Sequence, residues 1–394
     1  MNDGTNALIL SGGGAYGAYE VGVMKALFNG ESPATNYLPI DAGIFTGTSV
    51  GALNAAFMSS QPGMASSSTV GELERIWVNE ISDSPQRCGN GVYRLRGDPF
   101  RYFEPECVGL NPANAFTTVT DDAAFFARYL FSRGTNFLRS STGMPERALQ
   151  LVDMSALISI EPLRQSIKRM MRFESIRRSD RLLRVAATDW NTGELKVFEN
   201  MDMTDEFGPL ILQAASAVPG IFPPVEIAGD TYVDGGLVMN TPLKLAIKAG
   251  AITLHIIYLD PIVENIPIRR LQNTLDTLSK MFSIMFATIA HEDIEHAREI
   301  NQGLSLIGRV ARRETLSNRE LHNLTRTAGW LDLQTRQDLP NKKLAIHKYR
   351  PQNELGGALG MLNFNQESIS GSIERGFDDA VHHDCAISRC VLPD

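Results

Sequence analysis

The sequence lacks any long hydrophobic run. No stretch of its 394 residues approaches the ~18 uninterrupted apolar residues of a membrane-spanning helix. It begins with a polar segment, MNDGTN, and a short apolar run, in place of the basic and apolar regions of a secretion signal. We therefore expect a cytoplasmic protein that spans no membrane and contacts one at most peripherally.

Cysteine and positive charge are also scarce. The four cysteines, Cys88, Cys107, Cys385 and Cys390, form no C-x-x-C pair and have no zinc-finger spacing with histidine. This usage fits a reducing compartment better than a disulfide scaffold. No EF-hand loop or HExxH motif is present, so we predict no metal site and no cofactor. The formal net charge of -8 argues against a nucleic-acid partner.

The order of the apolar patterns predicts an α/β fold. A short apolar run, Ala7–Leu10, ends at a glycine loop, and helical spacing follows from Ala18 to Phe28. A second strand at Ile40–Thr46 precedes a helix at Val50–Met58, an alternation that favours a mostly parallel sheet flanked by helices. Further predicted strands are 182–188, 195–198, 225–227, 231–233, 253–259 and 344–349, and further predicted helices are 210–217, 243–248, 273–302 and 366–381.

The composition changes between Gln61 and about residue 180. This segment opens with QPGMASSS and contains scattered Gly and Pro, which predicts a helical and loop insertion at residues 61–180. We place the main domain at residues 6–260, around this insertion. Residues 261–394 are predicted to form a mainly helical extension packed on the same domain.

Residues 47–51, GTSVG, match G-x-S-x-G between a predicted strand and a predicted helix. A strand that turns sharply into a helix holds one residue in a strained, exposed conformation. The Ser49 oxygen would then lie beside a helix N-terminus, whose amides favour developing negative charge. An ordinary tight turn is the alternative, but this context favours Ser49 as a nucleophile.

A glycine loop, SGGGAYG at residues 11–17, also connects a predicted strand to a predicted helix. Its consecutive glycines, Gly12, Gly13 and Gly14, can present backbone N–H groups to the oxyanion of an acyl-transfer intermediate. The loop also fits the dinucleotide pattern G-x-G-x-x-G, but Asp41 lies at the start of the second strand, where that pattern needs an acid at the end. Nucleotide binding and a purely structural turn are the weaker alternatives.

Asp234 stands at the end of a short predicted strand, in the segment YVDGG. Alone, Asp-Gly predicts a turn. Beside a candidate nucleophile, its carboxylate can act as the base that a serine hydroxyl requires, in a dyad without histidine. A Ser-Asp-His triad stays open, although none of the seven histidines is in a convincing position.

Together these blocks resemble the patatin-like phospholipases, whose pattern is G-G-G-x-[RK]-G, G-x-S-x-G and D-G-[GA] in that order. The matching blocks are GGGAYG at 12–17, GTSVG at 47–51 and DGG at 234–236. A fourth block, ASAVPGIFPP at 215–224, resembles a segment that lines the family's site. The resemblance covers about residues 6–260 and implies a three-layer patatin-like fold.

The resemblance also implies the chemistry. Ser49 and Asp234 would form the catalytic dyad, and Gly12, Gly13 and Gly14 would supply the oxyanion hole. The implied reaction is hydrolysis of lipid acyl esters, of the phospholipase A or lysophospholipase type, through an acyl-enzyme and without a metal ion. The substrate-binding residues are not identified by the sequence.

One position departs from the family pattern. Tyr16 stands where many members carry Arg or Lys, which favours a neutral acyl ester over a phospholipid. A soluble esterase or thioesterase is the alternative function, followed by a non-enzymatic nucleotide-binding or scaffold protein. The carboxyl-terminal third of the chain has no predicted role.

Two segments favour peripheral membrane contact in addition to a lipid substrate. Residues 164–184 carry eight Arg or Lys against Glu174 and Asp180, an excess that attracts an anionic surface unless it is only a solvated helix face. A second segment has apolar residues at helical spacing, typical of core, of a homo-oligomer contact or of a lipid-facing lid. This apolar stripe comprises Leu275, Leu278, Met281, Phe282, Met285, Phe286 and Ile289.

Overall fold

The structure, a computed structural model, describes residues 5–61, 64–83, 89–95, 158–261, 343–355 and 357–393, with some positions between 120 and 127 and between 281 and 320. Within these ranges the α-helices are α1 (Gly17–Asn29), α2 (Val50–Ser59), α3 (Ser66–Ile76), α4 (Glu161–Met170), α5 (Phe173–Arg177), α6 (Gly208–Ala215), α7 (Leu243–Lys248) and α8 (Gln366–Val381). The strands are β1 (Thr5–Leu10), β2 (Ala42–Thr48), β3 (Arg94–Leu95), β4 (Ile158–Ser159), β5 (Leu182–Asp189), β6 (Leu195–Glu199), β7 (Val225–Ile227), β8 (Asp230–Asp234), β9 (Ala251–Ile257) and β10 (Ala345–Tyr349).

The central sheet has the strand order β10-β9-β1-β2-β5-β8-β7, and β6 pairs with β5 outside this path. From β10 to β5 the neighbouring strands are parallel, whereas β6, β7 and β8 pair antiparallel. A mostly parallel sheet with flanking helices confirms the predicted α/β fold class. Some boundaries differ from the predicted ones: β2 begins at Ala42 rather than Ile40, and β9 ends at Ile257 rather than Leu259.

Alternate residues of β1 explain how both faces of the sheet are covered. Leu8 and Leu10 belong to the hydrophobic cluster that contains α1 and α2. Ala7 and Ile9 belong to a second cluster, which contains α7. All four side chains are buried, and a strand buried on both faces has a continuous apolar run rather than an alternating one.

The end of β5 brings two distant parts of the chain together. β2 pairs with residues 182–186 of β5, and β8 pairs with residues 187–189. β6 pairs with residues 184–188, which overlap both ranges, so it occupies the opposite edge of β5 from each of them. Because a strand pairs along only two edges, β2 and β8 follow one another along the same edge. Their last residues, Thr48 and Asp234, therefore lie close together.

Residues after 260 contribute to the same sheet. β10 lies at its edge beside β9, and α8 packs along α1, where Gly22 and Gly376 allow a close approach of the two helices. From the predicted insertion, α3 packs on α1 and α2, and α4 packs on α6. The domain divisions predicted at residues 61, 180 and 260 stay predictions.

None of the helices in the described part of the chain combines the length and the apolar character needed to cross a membrane.

Candidate active site

Ser49 lies at the sharp turn between β2 and α2. Its φ of 54° and ψ of -127° are outside the regions that serine normally adopts. Such a conformation costs roughly 1–3 kcal/mol and persists only where the surrounding structure enforces it. A Cβ at Gly51 would collide with the carbonyl of Leu10, and a Cβ at Gly47 would collide with the carbonyl of Gly51. The glycines of the GTSVG turn are therefore steric requirements of this backbone.

Asp234 ends β8, and its carboxyl group is buried beside Ser49. The residue is 2% exposed, and its Oδ1 accepts a hydrogen bond from the Gly236 N–H at 2.7 Å. Its backbone is held by Ala217 and Thr188, through hydrogen bonds of 3.0 Å each. Oδ2 makes no hydrogen bond of normal geometry with any described residue, although the Ser49 hydroxyl is close enough to stabilise the ionised carboxylate. Such a loose contact is typical of a catalytic pair without its substrate.

Burial raises the pKa of Asp234 to about 7, because the charged form loses its hydration. The Gly236 N–H and the Ser49 hydroxyl act in the opposite direction by stabilising the charge. A carboxylate with this pKa is a stronger base than an ordinary aspartate and is still substantially ionised near neutral pH. The arrangement can therefore accept the proton of Ser49.

The glycine loop lies directly against the nucleophile turn. A Cβ at Gly12 would approach the Cβ of Ser49 to 3.0 Å, and Gly13 and Gly14 border the same cavity as Ser49. The N–H of Gly12, however, donates to the carbonyl of Asn240 at 3.2 Å. Because this N–H already has a partner, Gly12 is a weaker oxyanion-donor candidate than Gly13 and Gly14, and its donor role stays a prediction. Its function in the fold is to permit the close approach to Ser49.

The remaining donor candidates are Gly13, Gly14 and Val50. Their N–H groups form no backbone hydrogen bond with another described residue. Val50 is the first residue of α2, where amides have no partner within the helix. The sequence analysis missed Val50, although its position directly after the nucleophile is a signal for such a donor. The donor roles of Gly13 and Gly14 stay predictions.

A cavity bordered by Ser49 has largely apolar walls. The empty space between these walls, counted together with the open mouth, is about 900 Å³. The walls come from α2, α3, α4, the segment 216–222 and the segment before α8. The largest lining side chains include Leu53, Phe57, Trp77, Met170, Phe222 and Phe364.

Apart from Ser49, the polar side chains in the described cavity wall already have partners inside the protein. The hydroxyls of Ser166 and Ser216 donate to backbone carbonyls, and both ends of the Asn54 amide are hydrogen-bonded. No Arg or Lys is among the described residues that line the cavity. The described parts of the wall therefore suit a hydrocarbon chain and contain no cation for a phosphate group.

A buried network lies behind this wall. Asn54 Nδ2 donates to Glu20 Oε2 at 2.8 Å and to the Gly17 carbonyl at 3.1 Å, and Trp77 Nε1 donates to Asn54 Oδ1 at 2.9 Å. Burial raises the pKa of Glu20 well above its usual range, which favours the neutral form of its carboxyl group. The network joins α1, which follows the glycine loop, to α2, which follows the nucleophile.

Segment 215–224 lies at the site, as the resemblance implied. Ser216, Val218, Ile221 and Phe222 line the cavity. Tyr16, in place of the family's Arg or Lys, is 9% exposed and packs in the core cluster with α1.

No described histidine is among the groups that act on the Asp234 carboxyl. His255 is hydrogen-bonded to the hydroxyl of Tyr349, and His347 contacts a cysteine of the carboxyl-terminal segment. Two histidines of the predicted long helix, His291 and His296, lie outside the described residues. In the described part of the chain, the arrangement is thus a serine–aspartate pair.

Two arginines of the basic stretch 164–184 form hydrogen bonds to the backbone of other segments. Arg177 donates to the carbonyl of Met203, and Arg181 donates to the carbonyl of Met58. These two cations therefore stabilise the structure rather than form an open charged surface.

Of the exposed cations of this stretch, Arg178 forms an ion pair with Glu174, and the other three are on or next to α4. Lys168, Arg169 and Arg172 are exposed, whereas Leu163 and Met170 line the cavity. This helix thus has an apolar side at the cavity and a basic side toward solvent.

Most of the apolar stripe at 275–289 lies outside the described residues. Among its described positions, Met281 is exposed, and Met285 packs partly against the core. Whether the stripe is core, lid or oligomer contact stays a prediction.

The fold and the site define an α/β protein with a serine–aspartate pair where its parallel strands end. Residues 8–247 match the sequence model of the family described as Patatin-like phospholipase. The match spans more than half of the chain, so the chain belongs to this family, which confirms the resemblance.

Among solved structures, VipD from Legionella pneumophila is similar, at 14% sequence identity and a TM-score of 0.36. The alignment covers 96% of this chain and 66% of VipD, so the chain spans less than two thirds of that protein. No curated protein matches the chain significantly.

Proposed function

We propose that this protein is a lipid acyl hydrolase that uses Ser49 as nucleophile and Asp234 as base. The observation that carries the proposal is the contact of the Ser49 hydroxyl with a buried carboxyl group of pKa about 7, beside an apolar cavity. Membership of the patatin-like phospholipase family supports the reaction class.

The proposed reaction has two steps. Asp234 takes the proton of the Ser49 hydroxyl as its oxygen attacks the ester carbonyl, and the N–H groups of Gly13, Gly14 and Val50 stabilise the resulting oxyanion. Collapse of this intermediate releases the alcohol, which takes the proton, and leaves an acyl-enzyme on Ser49. Asp234 then takes a proton from a water molecule as the water oxygen attacks the acyl-enzyme. Release of the free acid returns this proton from Asp234 to the Ser49 oxygen, which regenerates the enzyme.

The substrate class follows from the cavity wall. Apolar side chains, with the polar groups satisfied internally, favour a long acyl chain over a short soluble ester. No cation is among the described lining residues, so we propose that the cavity recognises the acyl chain of the lipid rather than a phosphate headgroup. We therefore place a phospholipase A or lysophospholipase activity ahead of a soluble esterase or thioesterase.

Such an enzyme must reach lipid in a bilayer, and we propose that α4 contacts the membrane. Its exposed Lys168 and Arg169, with Arg172 just beyond it, are on the helix that lines the cavity through Leu163 and Met170. Attraction to an anionic surface would bring the cavity close to the lipid. The predicted cytoplasmic location and homo-oligomer stay predictions.

A covalent probe tests the proposal. A fluorophosphonate should label the parent protein and should not label Ser49→Ala, with Ser68→Ala, an exposed serine on α3, as the matched control. Long-chain lysolipids and neutral acyl esters in vesicles should be hydrolysed faster than short soluble esters. Equal labelling of Ser49→Ala and the parent would contradict the proposal, and a preference for short esters would favour the soluble esterase.

A further inference from the structure

Four potential metal ligands converge at the edge of the sheet, apart from the cavity at Ser49. The ligand atoms of His347, His383, Cys385 and Cys390 all lie within 4.8 Å of one another. His347 is on β10, and the other three follow α8. None of them lines the active-site cavity.

Three nitrogen–sulfur distances within this cluster match those around a tetrahedral zinc ion. Zn–S bonds of ~2.3 Å and Zn–N bonds of ~2.0 Å at tetrahedral angles place sulfur and nitrogen ligands ~3.5 Å apart. His347 Nδ1 lies 3.3 Å from Cys385 Sγ, while His383 Nε2 lies 3.5 Å from Cys385 Sγ and 3.4 Å from Cys390 Sγ. Each imidazole thus directs one ring nitrogen at the sulfurs.

We propose that these four residues bind one Zn²⁺ in a Cys2His2 site. Two thiolates and two neutral imidazoles complete a four-coordinate shell, and a closed shell of protein ligands is typical of a structural zinc rather than a catalytic one. Both histidines are buried, and two thiolates balance the charge of the ion.

Neither a disulfide nor simple hydrogen bonding accounts for the whole cluster. A disulfide between Cys385 and Cys390 would consume both sulfurs, yet both cysteines are free and each contacts the same ring nitrogen of His383. An ordinary thiol–imidazole hydrogen bond explains the contact of one thiol with one imidazole. It does not explain why four ligand atoms from two separate parts of the chain converge. A metal ion accounts for all four together.

The site would fasten the end of the chain to the edge strand. Ile346 and Val391 already form a two-bond bridge, with N–O distances of 2.7 and 2.9 Å. The proposed ligands flank this bridge, at His347 on the strand and Cys390 on the tail. Covering an edge strand prevents its pairing with other chains, and a metal would stabilise that cover.

This anchor would also stabilise the framework of the active site. The segment follows α8, whose Asp379 accepts a hydrogen bond from Tyr19 of α1 at 2.7 Å. α1 directly follows the glycine loop. The zinc is thus expected to affect stability first and hydrolysis only indirectly.

Metal content tests the inference. The full chain, expressed with zinc and purified in reducing buffer, should contain about one zinc per molecule. The double variant Cys385→Ser, Cys390→Ser should bind zinc at least about tenfold more weakly. Substituting residues that only hydrogen-bond to metal ligands already lowers metal affinity by about that factor. The matched control is Cys88→Ser, Cys107→Ser, which should keep the zinc. A parent protein without zinc, or equal zinc in both double variants, would overturn the inference.

Cobalt provides a test that does not depend on activity. Metal-free full-length protein titrated with Co²⁺ should show thiolate-to-metal charge transfer and the intense visible bands of a tetrahedral site. His383→Gln should weaken these bands, whereas His382→Gln, a change at the exposed neighbouring histidine, should not. If the ligand variants fold poorly, the titration of the parent still decides, since octahedral spectra, or a Cys385–Cys390 disulfide that persists in reductant, would reject the site.

Discussion

Thr48 and Asp234 pair with consecutive residues of the same strand, Ala186 and Ala187 of β5. Ser49 follows Thr48 directly, so the ends of β2 and β8 place the Ser49 hydroxyl beside the Asp234 carboxyl group. The pairing register thus explains how the two residues of the proposed dyad come together from distant motifs.

The first prediction concerns the dyad. Ser49→Ala and Asp234→Asn should each lower hydrolysis at least about a thousandfold, and the double variant should be little worse than either, because the two groups act as a unit. Asp230→Asn, at an exposed position of the same strand, is the matched control and should remain active. The measurement is kcat/KM on vesicles and on a soluble ester. A histidine-to-alanine variant as inactive as Ser49→Ala would instead establish a triad.

The pH dependence follows from the Asp234 carboxyl, which burial gives a pKa of about 7. It acts as a base only when ionised, so kcat/KM on a soluble ester should fall as the pH drops below about 7, by about tenfold per unit, and level off above it. A soluble substrate removes any effect of pH on membrane binding. A profile flat down to pH 5 would contradict Asp234 as the base.

The same carboxyl group should reduce stability at high pH. Its folded-state pKa is above the unfolded value of about 3.9, so the folded state binds the proton more tightly. Stability from this group is complete below pH 4 and is lost as the pH rises toward 7. Relative to the parent, Asp234→Asn should therefore gain up to about 4 kcal/mol in unfolding free energy between pH 4 and pH 8. Urea denaturation at the two pH values measures this difference, and no change with pH would contradict it.

The sequence could single out the two residues of the proposed dyad because each occupies a turn with a local requirement. The strained φ of Ser49 needs small neighbours, and Asp234 caps its own turn through Gly236. The oxyanion donors depend on longer-range contacts: the partner of the Gly12 N–H is Asn240, which no local pattern identifies. The cavity wall likewise comes from segments that meet only in the fold.

The convergence of His347 with the carboxyl-terminal cysteines was also beyond the sequence analysis. The ligands His383, Cys385 and Cys390 have no zinc-finger spacing, and the fourth reaches them only because β10 lies beside the tail. The α/β class was predictable because alternating strand and helix patterns depend on neighbouring residues alone.

Loss of the Asn54 amide should destabilise the fold. Asn54→Leu would leave Trp77 Nε1 and the Gly17 carbonyl buried without this partner, at a cost of roughly 2–5 kcal/mol. Glu20→Gln is the matched control: burial favours the neutral form of the Glu20 carboxyl group, so the amide should replace it at a cost within about 1 kcal/mol. Chemical denaturation measures both, and a larger loss for Glu20→Gln than for Asn54→Leu would show that Glu20 is charged.

The final prediction concerns membrane contact, and its test must substitute exposed cations. Reversing Arg177 or Arg181 would break hydrogen bonds to backbone carbonyls and confuse binding with folding. We therefore expect Lys168→Glu, Arg172→Glu to weaken binding to anionic vesicles at low salt, as added salt should also do, because exposed charges are screened beyond about 8 Å at physiological ionic strength. The matched control Lys248→Glu, Arg319→Glu changes the net charge equally at other exposed positions. Hydrolysis of a soluble ester should persist in both variants, since the dyad is unchanged. Equal vesicle binding by the two variants would show that total charge, rather than the basic side of α4, governs the contact.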